Sequence, residues 1–296
     1  MINKIIFYTI GHNGDIHYSR EFIKDIIKKI PNILFEYHHN ASAKLLKDIS
    51  SLSINSFNLW NIYKNNFYYD PNTQIFYINT WIGCDYSQDE IGRHGCCLKS
   101  NYYMYNKIFD ALGIKIENEN YYIPSIQWNS YDISKIDDFF KLKIYKEYCL
   151  VSNGNVLSGQ AENINLNDII KNLAIKFKNT GFVLTDSSNR IEQSNVIYTD
   201  DIITTIGGDL NEIGYLSTKC DIIVGRASGP FCFAHNKDSL YDNKKTFIVF
   251  SNNKSEGLWA NIEESEINCA KQIWSNNFDL QSMYSIIEEE IRKFYE

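Results

Sequence analysis

The feature that most constrains this chain is an alternation. Short apolar runs, each closed by a small or polar residue, trade places with longer stretches in which apolar residues return at helical spacing. Residues 5–10 (IIFYTI) are apolar, β-branched and aromatic and end at Gly11, the mark of a strand buried on both faces. Phe22, Ile23, Ile26, Ile27 and Ile30 then share one helical face, with Ser19 as the expected cap, Glu21 in the first turn and Pro31 as the stop. Residues 32–39 (NILFEYHH) read as the next strand. A β-α-β opening of this kind commits a chain to a parallel sheet wound with helices.

The middle of the chain is less regular. An aromatic stretch at 55–85 turns at Asp70-Pro71-Asn72, a helix is expected over 100–112 before Gly113, and 121–128 reads as a further strand. After a charged amphipathic stretch at 130–147 the alternation returns. Strands are expected at 148–152, 182–186, 195–199, 221–225 and 246–250, with helices at 166–179 and 209–219, the first capped near Asn165 or Asn167. The 296 residues suit two domains of about 100–200 residues each. The reading is an α/β protein of two facing Rossmann-like domains with parallel sheets, residues 1–143 and 144–278. A terminal helix, 279–296, carries the stripe Leu280, Met283, Ile287, Ile291 and Phe294 behind an Asp279 cap.

Charge narrows the partners. The net charge is −7 and no run of Lys and Arg stands out, which argues against nucleic acid as a ligand. Seven cysteines are an odd number, and their spacing fits no zinc ribbon, so reduced thiols in a cytoplasmic protein are expected. The opening apolar run of six residues is too short for a signal peptide or a membrane span.

Ligands of open α/β sheets bind at the carboxyl ends of the strands, which puts the loops 11–17, 81–95, 152–159, 186–190, 206–209 and 226–230 in play, and five stretches in or beside them carry candidate chemistry. The first is GHNGD at 11–15, where Asp15 stands at a helix start between His12 and His17. A carboxylate or an imidazole there can take a proton from a hydroxyl. Asp15 as a plain helix cap remains an equal reading. The second is GRASGP at 225–230, where backbone N–H groups near Ser228 and Gly229 and the Arg226 fork suit a phosphate, or form a tight turn with a surface arginine. The third and fourth are Ser152–Asn153–Gly154 and Asp186–Ser187, each following an expected strand. The fifth, residues 83–97, carries Asp85, Asp89, Glu90, Arg93 and His94, and reads either as an acceptor-binding loop or as a solvated one. Neither the phosphate loop Gly-Lys-Ser/Thr nor the dinucleotide GxGxxG is present, and no GxSxG nucleophile turn occurs. No Asp-x-Asp triplet is present to hold a divalent metal on a nucleotide sugar, so neither a metal nor a cofactor is expected.

The opening stretch KIIFYTIGHNGDIHYSREFIKDIIKKIPN resembles the N-terminus of the ADP-heptose–lipopolysaccharide heptosyltransferases, glycosyltransferases of the GT-B fold. In that family a strand leads into a Gly-Asp turn and an amphipathic helix, and the aspartate is the general base; by position that residue is Asp15, after Gly14 and before His17. The segment IGYLSTKCDIIVGRASGPFCFA is similar to the family's donor segment, which holds the nucleotide diphosphate. The family's turn reads Asp-Thr/Ser-Gly and continues to a Gly-His; here Arg226 and Phe231 stand near those places, which argues against ADP-heptose as the donor. An arginine beside small residues is closer to fucosyltransferase-like GT-B proteins. The resemblance implies a metal-independent inverting transfer from a nucleotide-sugar donor to a glycan or lipid-linked acceptor, in surface polysaccharide or lipopolysaccharide synthesis. The implied location is the cytoplasm, with peripheral contact at the inner face of the membrane. It also implies that the terminal helix packs back on the first domain. A nucleotide-sugar epimerase or hydrolase of the same fold, or a sugar- or nucleotide-binding protein without turnover, are the alternative readings.

Overall fold

The computed structural model describes residues 2–9, 11–39, 42–56, 67–81, 105–115, 123–157, 159–205, 209–258 and 269–295. The expected loop at 83–97 lies outside these residues. The chain divides into two compact units, Met1–Ser130 and Tyr131–Glu296.

The first unit holds β1 (Lys4–Tyr8), β2 (Leu34–His38), β3 (Ser53–Asn55), β4 (Phe67–Asp70) and β5 (Ile75–Asn79), in the spatial order β3-β2-β1-β5-β4. β1 pairs in parallel with β2 and β5, and β2 with β3; β4 alone runs antiparallel, against β5. The expected turn joins β4 to β5: the Asp70 carboxylate accepts from the Asn72 N–H at 2.9 Å and the Thr73 hydroxyl at 2.7 Å. The apolar stripe after β1 covers the sheet as expected, with Phe22, Ile23 and Ile26 fully buried and the Phe22 ring stacked on Tyr105 at 3.7 Å.

Ser19 does not cap the helix as expected. The helix begins earlier, as α1 (Asn13–Tyr18), and resumes as α2 (Arg20–Lys29). The Ser19 hydroxyl turns back to the Ile16 carbonyl at 2.9 Å, a local bond that interrupts the helix without starting it. The described part of 121–128 forms no strand. Its backbone donors go to carboxylates instead, Ser125 N–H to Glu21 and Gln127 N–H to Asp48, and it ends in a 3₁₀ turn, Trp128–Ser130.

The second unit is an all-parallel sheet of β6 (Glu147–Ser152), β7 (Thr180–Leu184), β8 (Val196–Tyr198), β9 (Ile222–Arg226), β10 (Thr246–Phe250) and β11 (Lys271–Ser275), ordered β11-β10-β9-β6-β7-β8. Read from β8, this is the doubly wound nucleotide-binding order, with its reversal between β6 and β9. The helix Leu166–Lys176 is capped by Asn165 and the helix Leu210–Lys219 by Asp209, each side chain accepting a backbone N–H two residues on. β11 gives no sequence signal because it is an edge strand of mostly half-buried residues.

One expectation about extent is corrected. The boundary falls at Ser130 rather than 143, because the helix Ser134–Lys141 is fastened to the second unit. Its Asp137 accepts from the Tyr215 hydroxyl at 2.7 Å and pairs with Lys219, and Phe139 and Phe140 pack on Tyr148. The terminal helix, Leu280–Arg292 behind Asp279, buries Met283, Ile287 and Ile291 in the core of its own unit. Met283, Ile287 and Ile291 share a core with Leu173, Ile248 and Phe250. Glu288 pairs with Lys176, and Glu290 with Lys271 of β11.

Among the described residues no helix is long and apolar enough to cross a membrane. Cys149 and Cys220 are buried free thiols.

Candidate functional site

In the first unit the strand order reverses between β1 and β5, where Tyr8 and Asn79 end in register, and open α/β sheets carry their ligands at such a point. Described residues of three stretches meet there: Thr9 with 11–15, 37–39 with Ser42, and 79–81. Asp15 is the third residue of α1, and its carboxylate accepts the His12 N–H at 2.6 Å. Gly11 lies beneath it. A methyl group at Gly11 would stand 2.5 Å from Asp15 Oδ2 and 2.8 Å from the Trp81 ring, so only glycine lets the carboxylate and the indole settle at the end of β1.

The half-buried Asp15 is raised from an ordinary 3.8 to about 6. Burial is the main cause and outweighs the His12 N–H bond and the His12 ring charge, which both act downward. A helix start ordinarily favours the ionised acid; here desolvation wins.

The floor beneath is neutral and fixed. His39 Nδ1 accepts the Ser42 N–H at 2.8 Å, so Nε2 carries the hydrogen and donates it to the Gly11 carbonyl, 3.2 Å away. Burial pulls the His39 pKa down, in keeping with a neutral ring. The buried Tyr37 hydroxyl lies 3.2 Å from the Thr80 hydroxyl, and the Thr80 N–H holds the Tyr8 carbonyl at 2.8 Å. Of the two histidines expected as bases, His12 is exposed at the N-cap, beside the acid. His17 is fully buried against Tyr18, on the core side of α1, and has no surface to offer a substrate. Sequence reasoning passed over Tyr37, His39, Thr80 and Trp81. The signal was present: each sits at or just past the carboxyl end of a parallel strand.

In the second unit the reversal between β6 and β9 brings together residues that are far apart in sequence. Ser152 pairs in register with Gly225, and the Ser152 and Ser228 hydroxyls are 2.8 Å apart. Gly225 is needed for that approach, because a Cβ there would stand 2.8 Å from Phe231 and 2.9 Å from Ser152 Cβ. Ser228 is the N-cap of the short helix Gly229–Ala234, and a Cβ added at Gly229 would meet Leu210 at ordinary contact distance. The Asn153 side chain ties the ends of β6 and β7 together. It donates to the Asp186 carbonyl at 2.9 Å and accepts the Asp186 N–H at 2.8 Å. Asp186 itself accepts from the N–H and hydroxyl of Ser188, both at 3.0 Å, while the Ser187 hydroxyl donates to Asp200.

Arg226 departs most from expectation. It is fully buried rather than turned to a ligand. Its guanidinium donates to the carbonyls of Glu162 (3.1 Å), Ile164 (3.1 Å), Asn153 (3.0 Å) and Gly154, and to the Asn163 amide oxygen. A fork that holds so many acceptors has none of its terminal donors left for phosphate. Sequence cannot show this, because the acceptors arrive from a loop 62 to 73 residues away.

Cavities of about 510 and 600 Å³ open at the other edges of the two sheets. One is lined by Lys176, Phe177 and Arg292 beside the entry to β7, the other by Ile2, Pro31 and Ile33 beside the entries to β1 and β2. They lie at the amino ends of the strands, away from the residues above.

No known family model matches the sequence. No curated protein matches it either. Solved structures do. The chain is similar to the glycosyl transferase family 9 protein of Veillonella parvula, with a TM-score of 0.56 at 11% identity over 97% of this chain and 89% of that one. It is similar to the E. coli heptosyltransferase WaaC with ADP, with a TM-score of 0.55 at 9% identity over 98% of each chain. It is also similar to the E. coli ADP-heptose lipopolysaccharide heptosyltransferase II, with a TM-score of 0.52 at 9% identity over 99% of this chain and 100% of that one. At such identities the likeness is one of fold: the chain has the α/β GT-B fold of heptosyltransferase-like glycosyltransferases.

Proposed function

We propose that this chain is a glycosyltransferase that moves a sugar, with inversion and without a metal, from a nucleotide-sugar donor to a hydroxyl of a glycan or lipid-linked acceptor. The observation that carries the reading is Asp15. It is a carboxylate raised to about 6, wedged over Gly11 at the carboxyl end of β1, where the sheet order reverses. An acid tuned close to neutrality is ionised at pH 7 and still basic enough to take a proton. In the proposed step the acceptor oxygen forms the bond to the anomeric carbon as Asp15 takes its proton. The bond from that carbon to the diphosphate breaks, and the nucleoside diphosphate leaves with the electron pair. The second unit holds the donor at Ser152–Asn153–Gly154, Asp186–Ser187 and Ser228–Gly229, on the doubly wound sheet whose order suits a nucleotide. Support for the donor class comes from WaaC, whose structure contains ADP. Place in surface polysaccharide or lipopolysaccharide synthesis, at the cytoplasmic face of a membrane, is part of the same proposal.

Asp15→Asn tests the base. Turnover of a nucleotide sugar should fall by about 10²–10⁴, while binding of the donor, measured by thermal shift, persists. Turnover retained in that variant removes Asp15 from the chemistry.

A further inference from the structure

Arg226 is a buried cation whose described hydrogen bonds all go to oxygens of uncharged amides. Burial disfavours its charge, and its Nε has no partner among the described residues. Such a costly group needs a purpose. The purpose is legible in what it does to the peptides around it.

In a trans peptide the carbonyl of one residue and the N–H of the next point in opposite directions. The guanidinium draws in the carbonyls of Asn153 and Gly154. The N–H groups of Gly154 and Asn155 therefore point away from it. Neither donates to any described atom, and Asn155 is exposed while Gly154 is half-buried. The same fork holds Glu162, Asn163 and Ile164, and Asn163 in turn staples the loop by accepting the Val156 N–H at 2.7 Å and donating to its carbonyl at 3.1 Å. The result is two successive outward N–H groups at the end of β6, next to the sheet's reversal, with a positive charge behind them. Successive backbone donors of this kind form an anion-binding concavity.

We infer that Arg226 is a positioning residue, which sets the Gly154 and Asn155 N–H pair as the dock for a phosphate of the donor without touching it. The inference rests on the proposed function for its ligand and goes beyond it in naming the donors and the residue that aims them. Peptide dipoles locked from beneath need no reorganisation as the diphosphate gathers charge on leaving.

The test is an amide-resolved NMR titration of the ¹⁵N-labelled full chain with inorganic pyrophosphate at low ionic strength. The Gly154 and Asn155 signals should move most and saturate. Arg226→Met should bind pyrophosphate about tenfold more weakly or worse, and Arg226→Lys should fall between the two. Pyrophosphate binding with those two amides stationary overturns the inference. So does a folded Arg226→Met with unchanged affinity; the wild-type titration needs no variant, so a misfolded one leaves the test intact. Sugar transfer by a wild type that ignores pyrophosphate sinks the inference alone. A wild type that neither binds nor transfers any nucleotide sugar sinks the proposed function with it.

Discussion

At Asp15 two demands pull in opposite directions. The proposed base needs its carboxylate ionised, and the fold prefers it protonated. The folded pKa of about 6 lies above the ordinary 3.8, so the stability this group contributes is complete below pH 3.8 and is lost as pH rises through 6. Asp15→Asn removes the titration and keeps the shape. Its melting temperature should match wild type near pH 3.5 and exceed it at pH 8, where its unfolding free energy should be larger by on the order of 1–2 kcal/mol once solvent screening of a half-buried group is allowed for. Wild-type kcat/KM should move the other way, rising through pH 6 to a plateau. Equal melting temperatures at pH 8 would mean that the carboxyl is not held against its preference. Asp15 was legible from its place after the first strand. Its altered acidity was not, because it comes from burial, which a turn's own residues do not announce.

The elements show where pattern reading succeeds. Buried parallel strands declare themselves as continuous apolar runs, and β1, β2, β6, β7, β9 and β10 fall within one or two residues of expectation. Edge strands β3 and β11 carry no such run and were missed. The terminal helix was placed correctly in sequence, and its stripe joins the core of the second unit. Its stripe says that one face is buried and is silent about what covers it. The fully buried Ile287 provides the check. Ile287→Ala should cost about 2–5 kcal/mol in urea unfolding, the scale of a large-to-small change in a packed core. A loss under about 0.5 kcal/mol, the scale of a surface substitution, would mean that the face is not packed.

At the scale of the whole molecule, two sheets with separate cores predict that the second unit folds by itself. A chain of residues 131–296 should unfold cooperatively. One starting at residue 144 should be less stable, because it loses the Asp137 contacts to Tyr215 and Lys219 and the packing of Phe139 and Phe140 on Tyr148. Urea midpoints by circular dichroism decide this, and equal midpoints would restore the boundary to 143. The misplacement has a plain cause. Charge and amphipathicity at 130–147 mark an exposed helix as readily as a linker.

The order of residues along the chain was enough to determine the α/β class, two mostly parallel sheets, most buried strands, and the turn that carries Asp15. These follow from local periodicity, because burial on one or two faces writes itself into spacing. Tertiary structure alone decided which side chains of each turn go inward. His17 went into the core, and Arg226 went beneath a loop whose carbonyls it collects. A side chain's direction depends on partners that lie tens of residues away, and no local pattern encodes them.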